Sequence, residues 1–261
     1  MRKRLLSPIL PSSNQRVLLS ESEANHAQRV LRLRSGEEVE VLDGRGNHIL
    51  ARLRMSELGV QLEYLGPLSK EGGSERGLSV VPLDLEMAVL KGEAMEWVVE
   101  KAVELGVRKL IPLLTDHTVI QTKAKGPAFF QERWQRIADQ ALKQCGRLER
   151  LQVEAPIGLD EVLRRRPSLT RIWCDEEKAN GGGLSLANWI LKNPPSPTKE
   201  VSILIGPEGG WSQNERNQLS IFSEQSEGGA ISLSLGPLVL RAETAAIVSM
   251  GLISSFMRAG F

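Results

Sequence analysis

Two glycine-bearing turns near the C-terminal end carry residue types that could build a small-molecule site. Ile205-Gly206-Pro207-Glu208-Gly209-Gly210 closes the apolar run Val201–Ile205. Leu235-Gly236-Pro237-Leu238-Val239-Leu240-Arg241-Ala242-Glu243-Thr244 closes the run 230–235. Each run reads as a short, buried strand ending in Gly-Pro. In open α/β sheets, ligands bind outside the carboxyl ends of the strands. Two such ends about thirty residues apart therefore predict two loops closing on one small molecule. Glycines let the backbone approach a ligand closely, and Glu208 supplies an acceptor. The first loop lacks the Gly-Lys-Ser/Thr of a P-loop and the Gly-x-Gly-x-x-Gly of dinucleotide sites. It suits adenosine or a ribose better than a triphosphate.

Taken singly, each loop has a plainer reading. The first is also an ordinary strand–loop–helix turn, with Trp211-Ser212-Gln213-Asn214-Glu215 opening a capped helix. In the second, Arg241 and Glu243 are also readable as a structural ion pair or a cap. A charged pair entering an otherwise apolar helix is costly unless it is paired or used. Together the loops favour a site. Lys143 and Arg147, in Lys143-Gln144-Cys145-Gly146-Arg147, complement a helix dipole or contact an RNA phosphate. His117 reads as a general base, a polar contact or neither. Cys145 and Cys174 form no metal signature with His26, His48 and His117, so no metal is expected. Two isolated cysteines imply a reducing compartment and no disulfide framework.

These loops need a framework, and the 261 residues suffice for a small domain plus a medium one. With 41% hydrophobic and 25% charged residues, the composition is that of a soluble globular protein. No run of 18 apolar residues is present, so no membrane span is expected. Met1-Arg2-Lys3-Arg4 resembles the start of a signal peptide, but the following apolar stretch is short and broken by prolines, so export is not expected. The net charge of +1 hides an asymmetry: residues 1–34 carry seven basic against two acidic side chains. Such a patch attracts a polyanion or is an ordinary solvated surface.

The segments change character along the chain. Residues 37–42 and 48–54 alternate around Asp43-Gly44-Arg45-Gly46, a hairpin whose glycines supply positive φ. Residues 59–65 read as another strand, and about 65 residues of such strands suggest a small β-barrel. A short helix over 22–32 puts His26, Arg29 and Arg32 near one face. The Gly-rich stretch 66–77 reads as a linker. Beyond it, strands alternate with helices, an α/β layer architecture: strands at 78–83, 109–114 and 171–174, helices at 93–105, 129–145 and 184–191. The last helix, 243–257, is apolar on most sides and is either deeply buried or packed on a second subunit.

At these residues the chain resembles the 16S rRNA (uracil-1498-N3)-methyltransferases of the SPOUT class. The likeness runs through His26-Ala27-Gln28-Arg29-Val30-Leu31-Arg32, Leu42-Asp43-Gly44-Arg45-Gly46, Glu100-Lys101-Ala102-Val103-Glu104-Leu105-Gly106-Val107, Gln144-Cys145-Gly146-Arg147 and both glycine loops. The two loops in this order and spacing are the specific part. The resemblance implies a PUA-like β-barrel over 1–70 that helps hold RNA. It also implies an α/β SPOUT domain over 78–261, a parallel sheet with a C-terminal trefoil knot. Ordinary chain connections would not suggest a knot. It further implies S-adenosylmethionine as cofactor, a homodimer, and 16S rRNA within the small ribosomal subunit as partner, in the cytoplasm. The cofactor-binding residues it points to are Ile205, Gly206, Glu208, Gly209, Leu235, Gly236, Leu240, Arg241 and Thr244. The RNA-binding residues are His26, Arg29, Arg32, Lys143 and Arg147. The sequence departs from the family pattern at Lys143, where Glu is common, and at Asp116-His117, where Glu-Arg is common.

The implied reaction is methylation of a uridine at N3. Arg241, always protonated, is expected to stabilise the uracil anion or position a phosphate, and Glu243 to act as base or to orient Arg241, with solvent as the other candidate base. Two alternatives remain at this stage. One is a SPOUT enzyme acting on a ribose 2′-hydroxyl. The other is a non-catalytic RNA-binding assembly protein.

Overall fold

The alternating N-terminal segments pair into a sheet, as period-2 burial requires. The structure is a computed structural model that describes residues 2–68, 81–118, 126–179, 184–196, 198–225 and 229–259. It divides into two compact units, Met1–Ser79 with Asp139–Arg150, and Val80–Ala138 with Leu151–Phe261. Of the linker expected over 66–77, Gly66 and Pro67 instead end a strand, and residues 69–77 lie outside the described residues.

The first unit contains β1 (Arg4–Leu6), β2 (Val17–Leu18), α1 (Glu21–Asn25), β3 (Glu38–Leu42), β4 (His48–Ser56) and β5 (Gly59–Pro67). They form a curled five-stranded sheet ordered β1-β3-β4-β5-β2, antiparallel except for β1 beside β3. Val39 and Val41, Ala51 and Leu53, Val60 and Leu62 bury every second side chain into one core with Leu5 and Ala27. The expected hairpin is present: Leu42 pairs with His48, and Asp43 Oδ1 accepts from the amides of Arg45 (2.7 Å) and Asn47 (3.0 Å). The helix expected over 22–32 differs. Ser20 caps α1, which then widens into a π-helical turn, His26–Val30. Arg32, at φ +52°, ends it.

The second unit holds β6 (Val81–Ala88), α2 (Glu93–Glu104), β7 (Val107–Leu114), α3 (Pro127–Cys145), β8 (Gln152–Val153), β9 (Ile157–Gly158), α4 (Leu159–Arg165), β10 (Thr170–Cys174), α5 (Leu186–Lys192), β11 (Val201–Ile205), α6 (Gln213–Gln225), β12 (Ala230–Leu233) and α7 (Ala242–Ala259). Its parallel sheet runs β12-β10-β11-β6-β7-β8, with β9 also beside β7. Every residue of β11 is buried, as a strand covered on both faces must be. Of the strand expected over 78–83, residues 78–80 lie outside the described set.

Two carboxylates sit fully buried on β6. Asp84 pairs with Arg108 (2.9 Å) and Arg166 (2.6 Å), and Glu86 with Arg171 (2.9 Å). Burial pushes the Glu86 carboxyl above its ordinary range, against the pull of Arg171. Arg171 also donates to the carbonyls of Arg166 and Val162, so its charge is satisfied on several sides. The last helix is buried through Ala246, Met250, Ile253 and Met257 and packs on α2, α5, β6 and β11.

The end of α3 belongs to the first unit. Arg4 bridges Glu40 and the carbonyls of Lys143 and Gln144, each at 2.9 Å. It thereby satisfies carbonyls left open at a helix C-terminus. Gly46 N–H donates to Leu148 O, and Arg150 N–H to Gly44 O.

Candidate functional site

A cavity of about 490 Å³ lies at the carboxyl ends of β10, β11 and β12, within the size range of small-molecule sites. The sheet order explains it. β10 runs between β11 and β12, so the loops after all three strands meet. Ile205, Gly206 and Glu208 line it from the first glycine loop, and Leu235, Leu240, Arg241 and Glu243 from the second. Of the predicted cofactor residues, Gly209, Gly236 and Thr244 are not in its lining.

The first loop is shaped by close approaches. A β-carbon on Gly206 would lie 3.0 Å from the Trp211 indole. Trp211 is itself buried and donates from Nε1 to Cys174 O at 3.2 Å. A turn bond from Gly210 N–H to Pro207 O closes the loop. His117 Nδ1 faces the carbonyl oxygens of Gly209 (3.1 Å) and Gly210 (2.9 Å). Since both partners only accept, Nδ1 carries the proton. That nitrogen is committed to the loop.

The second loop begins where β12 stops, two residues earlier than expected. Ser234 Oγ accepts from Gly236 N–H and donates to Gly236 O, which turns the chain with Gly236 at φ +140°. Arg241 is exposed and Glu243 half-buried. No ion pair joins them among the described residues, so the structural-pair reading does not hold.

The third loop was not assigned a role from the sequence. Asp175 and Glu176 line the cavity and share the guanidinium of Arg216. Glu176 Oε1 also accepts from Trp211 N–H, and Asp175 Oδ2 from Ser232 Oγ. The acidic run after the β10 strand was visible in the sequence. That β10 lies between β11 and β12 was not. Cys174, which also lines the cavity, is buried, which pushes its thiol up to about 12. Among the described residues, no group of His, Cys, Asp and Glu is arranged to hold a metal ion.

In the first unit, Arg29 and Arg32 are exposed and His26 half-buried. Burial, then the nearby Lys143 cation, lowers the His26 pKa. Two other residues expected to contact RNA have their side chains buried in the first unit. The Lys143 ammonium is held by both carboxylate oxygens of Glu23, at 3.0 and 2.9 Å, with 9% of its side chain exposed. Arg147 is 3% exposed. Neither offers its charge to a phosphate in this conformation.

Comparison with known proteins adds a family. An RNA methyltransferase domain family matches residues 78–254, and an RNA methyltransferase PUA domain family matches residues 19–63. The ribosomal RNA small subunit methyltransferase E of Synechocystis is 30% identical over 92% of this chain and 73% of its own length. That of Bacillus subtilis is 25% identical, covering 90% and 88%. Among solved structures, a methyltransferase from Legionella pneumophila in complex with the cofactor SAM aligns with a TM-score of 0.81 at 27% identity, covering 98% of each chain. The methyltransferase E of Neisseria gonorrhoeae, bound to S-adenosyl methionine, gives 0.78 at 27% identity, again over 98% of each chain.

Proposed function

The chain belongs to the RNA methyltransferase family that includes ribosomal RNA small subunit methyltransferase E, and from that membership we propose that it methylates N3 of a specific uridine in 16S rRNA using S-adenosylmethionine. The observation that carries this reading is the cavity at the strand ends, lined by both glycine loops.

The cavity fits the cofactor's chemistry. Ile205, Leu240 and Ala245 offer apolar surface for an adenine. The carboxylates of Asp175, Glu176, Glu208 and Glu243 suit a cation. When bound, the sulfonium makes its methyl group electrophilic. Ile205, Gly206, Glu208, Leu235 and Leu240 hold the cofactor, while Gly209, Gly236 and Thr244 set the loop paths around it. The protein must then bring N3 into line and remove its proton. Glu243, half-buried and without an ion pair among the described residues, takes that proton. Arg241 stabilises the negative charge on the uracil. N3 lies on the Watson–Crick edge, so the uridine enters unpaired.

Exposed Arg29 and Arg32, with half-buried His26, supply the RNA-binding face of the PUA-like unit, which takes in residues 139–150 besides the N-terminal segment expected over 1–70, and the rest of 78–261 forms the catalytic domain. The finer parts of the reading are a trefoil knot in that domain, a homodimer, a cytoplasmic location and the small ribosomal subunit as the substrate particle. In support of a dimer, Trp97, Leu238, Val239 and Val248 are exposed apolar side chains. No helix among the described residues is long and apolar enough to cross a membrane. Incubation with labelled S-adenosylmethionine and small subunits lacking the mark, followed by mass spectrometry, tests the reading. A single 3-methyluridine in 16S rRNA is expected. A methyl group on a ribose oxygen would refute the N3 assignment.

A further inference from the structure

We propose that His117, with Asp116, is a positioning clamp that holds the first glycine loop in its ligand-ready shape from outside the cavity. This rests on the cofactor reading above and adds residues to it.

The clamp comes from the loop after β7, a strand two places from β11 in the sheet. The His117 imidazole donates from Nδ1 to Gly209 O and Gly210 O. Its β-carbon packs so closely that a β-carbon on Gly209 would lie 3.1 Å away. Asp116 secures the next two turns. Its Oδ2 accepts from Ser212 Oγ at 2.6 Å, and its N–H donates to Glu215 Oε1 at 3.0 Å. The other Glu215 oxygen accepts from Ser212 N–H at 2.9 Å. Ser212 Oγ in turn caps α6 by accepting from Glu215 N–H. Asp116, Ser212 and Glu215 thus close one ring of bonds beneath the loop, and His117 pins its two glycine carbonyls.

Gly206, Glu208 and Gly210 line the cavity, but Asp116 and His117 do not. The pair therefore acts on bound ligand only through the loop. A loop of glycines is conformationally permissive, and a ligand that must order it loses affinity. Holding it beforehand removes that cost. His117 is the sharper probe, because the other brace, Glu176, itself reaches the cavity.

The test uses the full-length chain with His117→Leu and His117→Asn. Leucine keeps bulk and loses the donor. The asparagine amide places an N–H near the position of Nδ1. In His117→Leu, the dissociation constant for S-adenosylmethionine, measured by calorimetry, should rise roughly three- to tenfold, the value of one hydrogen bond. The rate at saturating cofactor and the KM for RNA should stay unchanged. Amide exchange at residues 209–212 should accelerate without ligand, and His117→Asn should restore both affinity and protection. Unchanged affinity in His117→Leu would overturn the clamp, as would a raised KM for RNA with normal cofactor binding. A wild-type chain that binds no S-adenosylmethionine would sink the cofactor reading instead. The exchange data would still judge the clamp, since unchanged protection in His117→Leu overturns it.

Discussion

Gly210 and Glu176 leave no room for one another to grow. A β-carbon on Gly210 would collide with Glu176 Oε1, the same oxygen that accepts from Trp211 N–H and pairs with Arg216. Gly210 also sits at φ +72°. Gly210→Ala therefore meets two penalties, backbone strain of about 1–2 kcal/mol and displacement of Glu176. Gly236→Ala meets backbone strain alone, since nothing lies within 4 Å of its would-be β-carbon, but at φ +140° it lies outside the left-handed α region and that strain is the larger of the two. Calorimetry should show cofactor affinity falling more than about tenfold in Gly210→Ala, a step of roughly 1.4 kcal/mol. Full cofactor affinity in Gly210→Ala would remove Glu176 from the account.

Arg241 and Glu243 enter the cavity unpaired with each other. Glu243→Gln should lower the single-turnover rate by about 10²–10⁴-fold, the range for a positioned base, with cofactor binding retained. Arg241→Ala should cost about 10²–10³-fold as a lost stabiliser of developing charge. Full activity in Arg241→Ala would rule out its proposed role.

For RNA, the exposed and the buried cations should behave differently. Arg29→Ala and Arg32→Ala should weaken rRNA binding and flatten its salt dependence by about one unit of slope each, with unfolding midpoints unchanged. Lys143→Ala instead strands the buried Glu23 carboxylate, a loss of about 3 kcal/mol in stability, visible in urea unfolding. A Lys143→Ala chain of normal stability and reduced RNA affinity would restore the sequence-based expectation.

That contrast marks what could be read from residues alone. The strand pattern 37–42 and 48–54, the helix 93–105 and both glycine loops announced themselves, because period and turn chemistry are local. The resemblance supplied the assignment of Ile205, Gly206, Glu208, Leu235, Leu240 and Arg241 to one pocket, and the structure brings them to one cavity. Asp175 and Glu176 escaped because their place depends on β10 running between strands that come later in sequence. The burial of Lys143 and Arg147 was equally hidden, since a basic pair at a helix end looks the same whether it faces water or a carboxylate 120 residues away.

The two cysteines should separate chemically. Cys145 is exposed. Cys174 is buried, with its thiol held up to about 12 by desolvation, and only the thiolate reacts. At about pH 8, a thiol reagent should label Cys145 within minutes and Cys174 only on unfolding. Rapid double labelling of the folded chain would contradict the packing around β10.

His26 gives the first unit a pH dependence. Burial, then Lys143, lowers its folded pKa below the ordinary 6.5, partly opposed by Glu23. As pH falls through 6.5, the unfolded chain takes up a proton that the folded chain refuses, so stability is lost on acidification. His26→Gln should shrink the drop in urea midpoint between about pH 7.5 and pH 5.5. An identical drop in both proteins would mean that His26 does not contribute.

The Arg4 guanidinium that ties Glu40 to the carbonyls of Lys143 and Gln144 also sets an order of events. A ribosome delivers residues 4 and 40 long before residues 143–150, and until those arrive the β1 edge lacks the strap that completes it. The first unit to be started is thus held incomplete until part of the second has been made. A truncation after residue 68, natural as it looks on paper, would release a sheet with Arg4 and Glu23 each missing a partner. Nascent chains long enough for residues 143–150 to clear the ribosomal exit tunnel should resist proteolysis in the first unit, where chains halted near residue 100 do not.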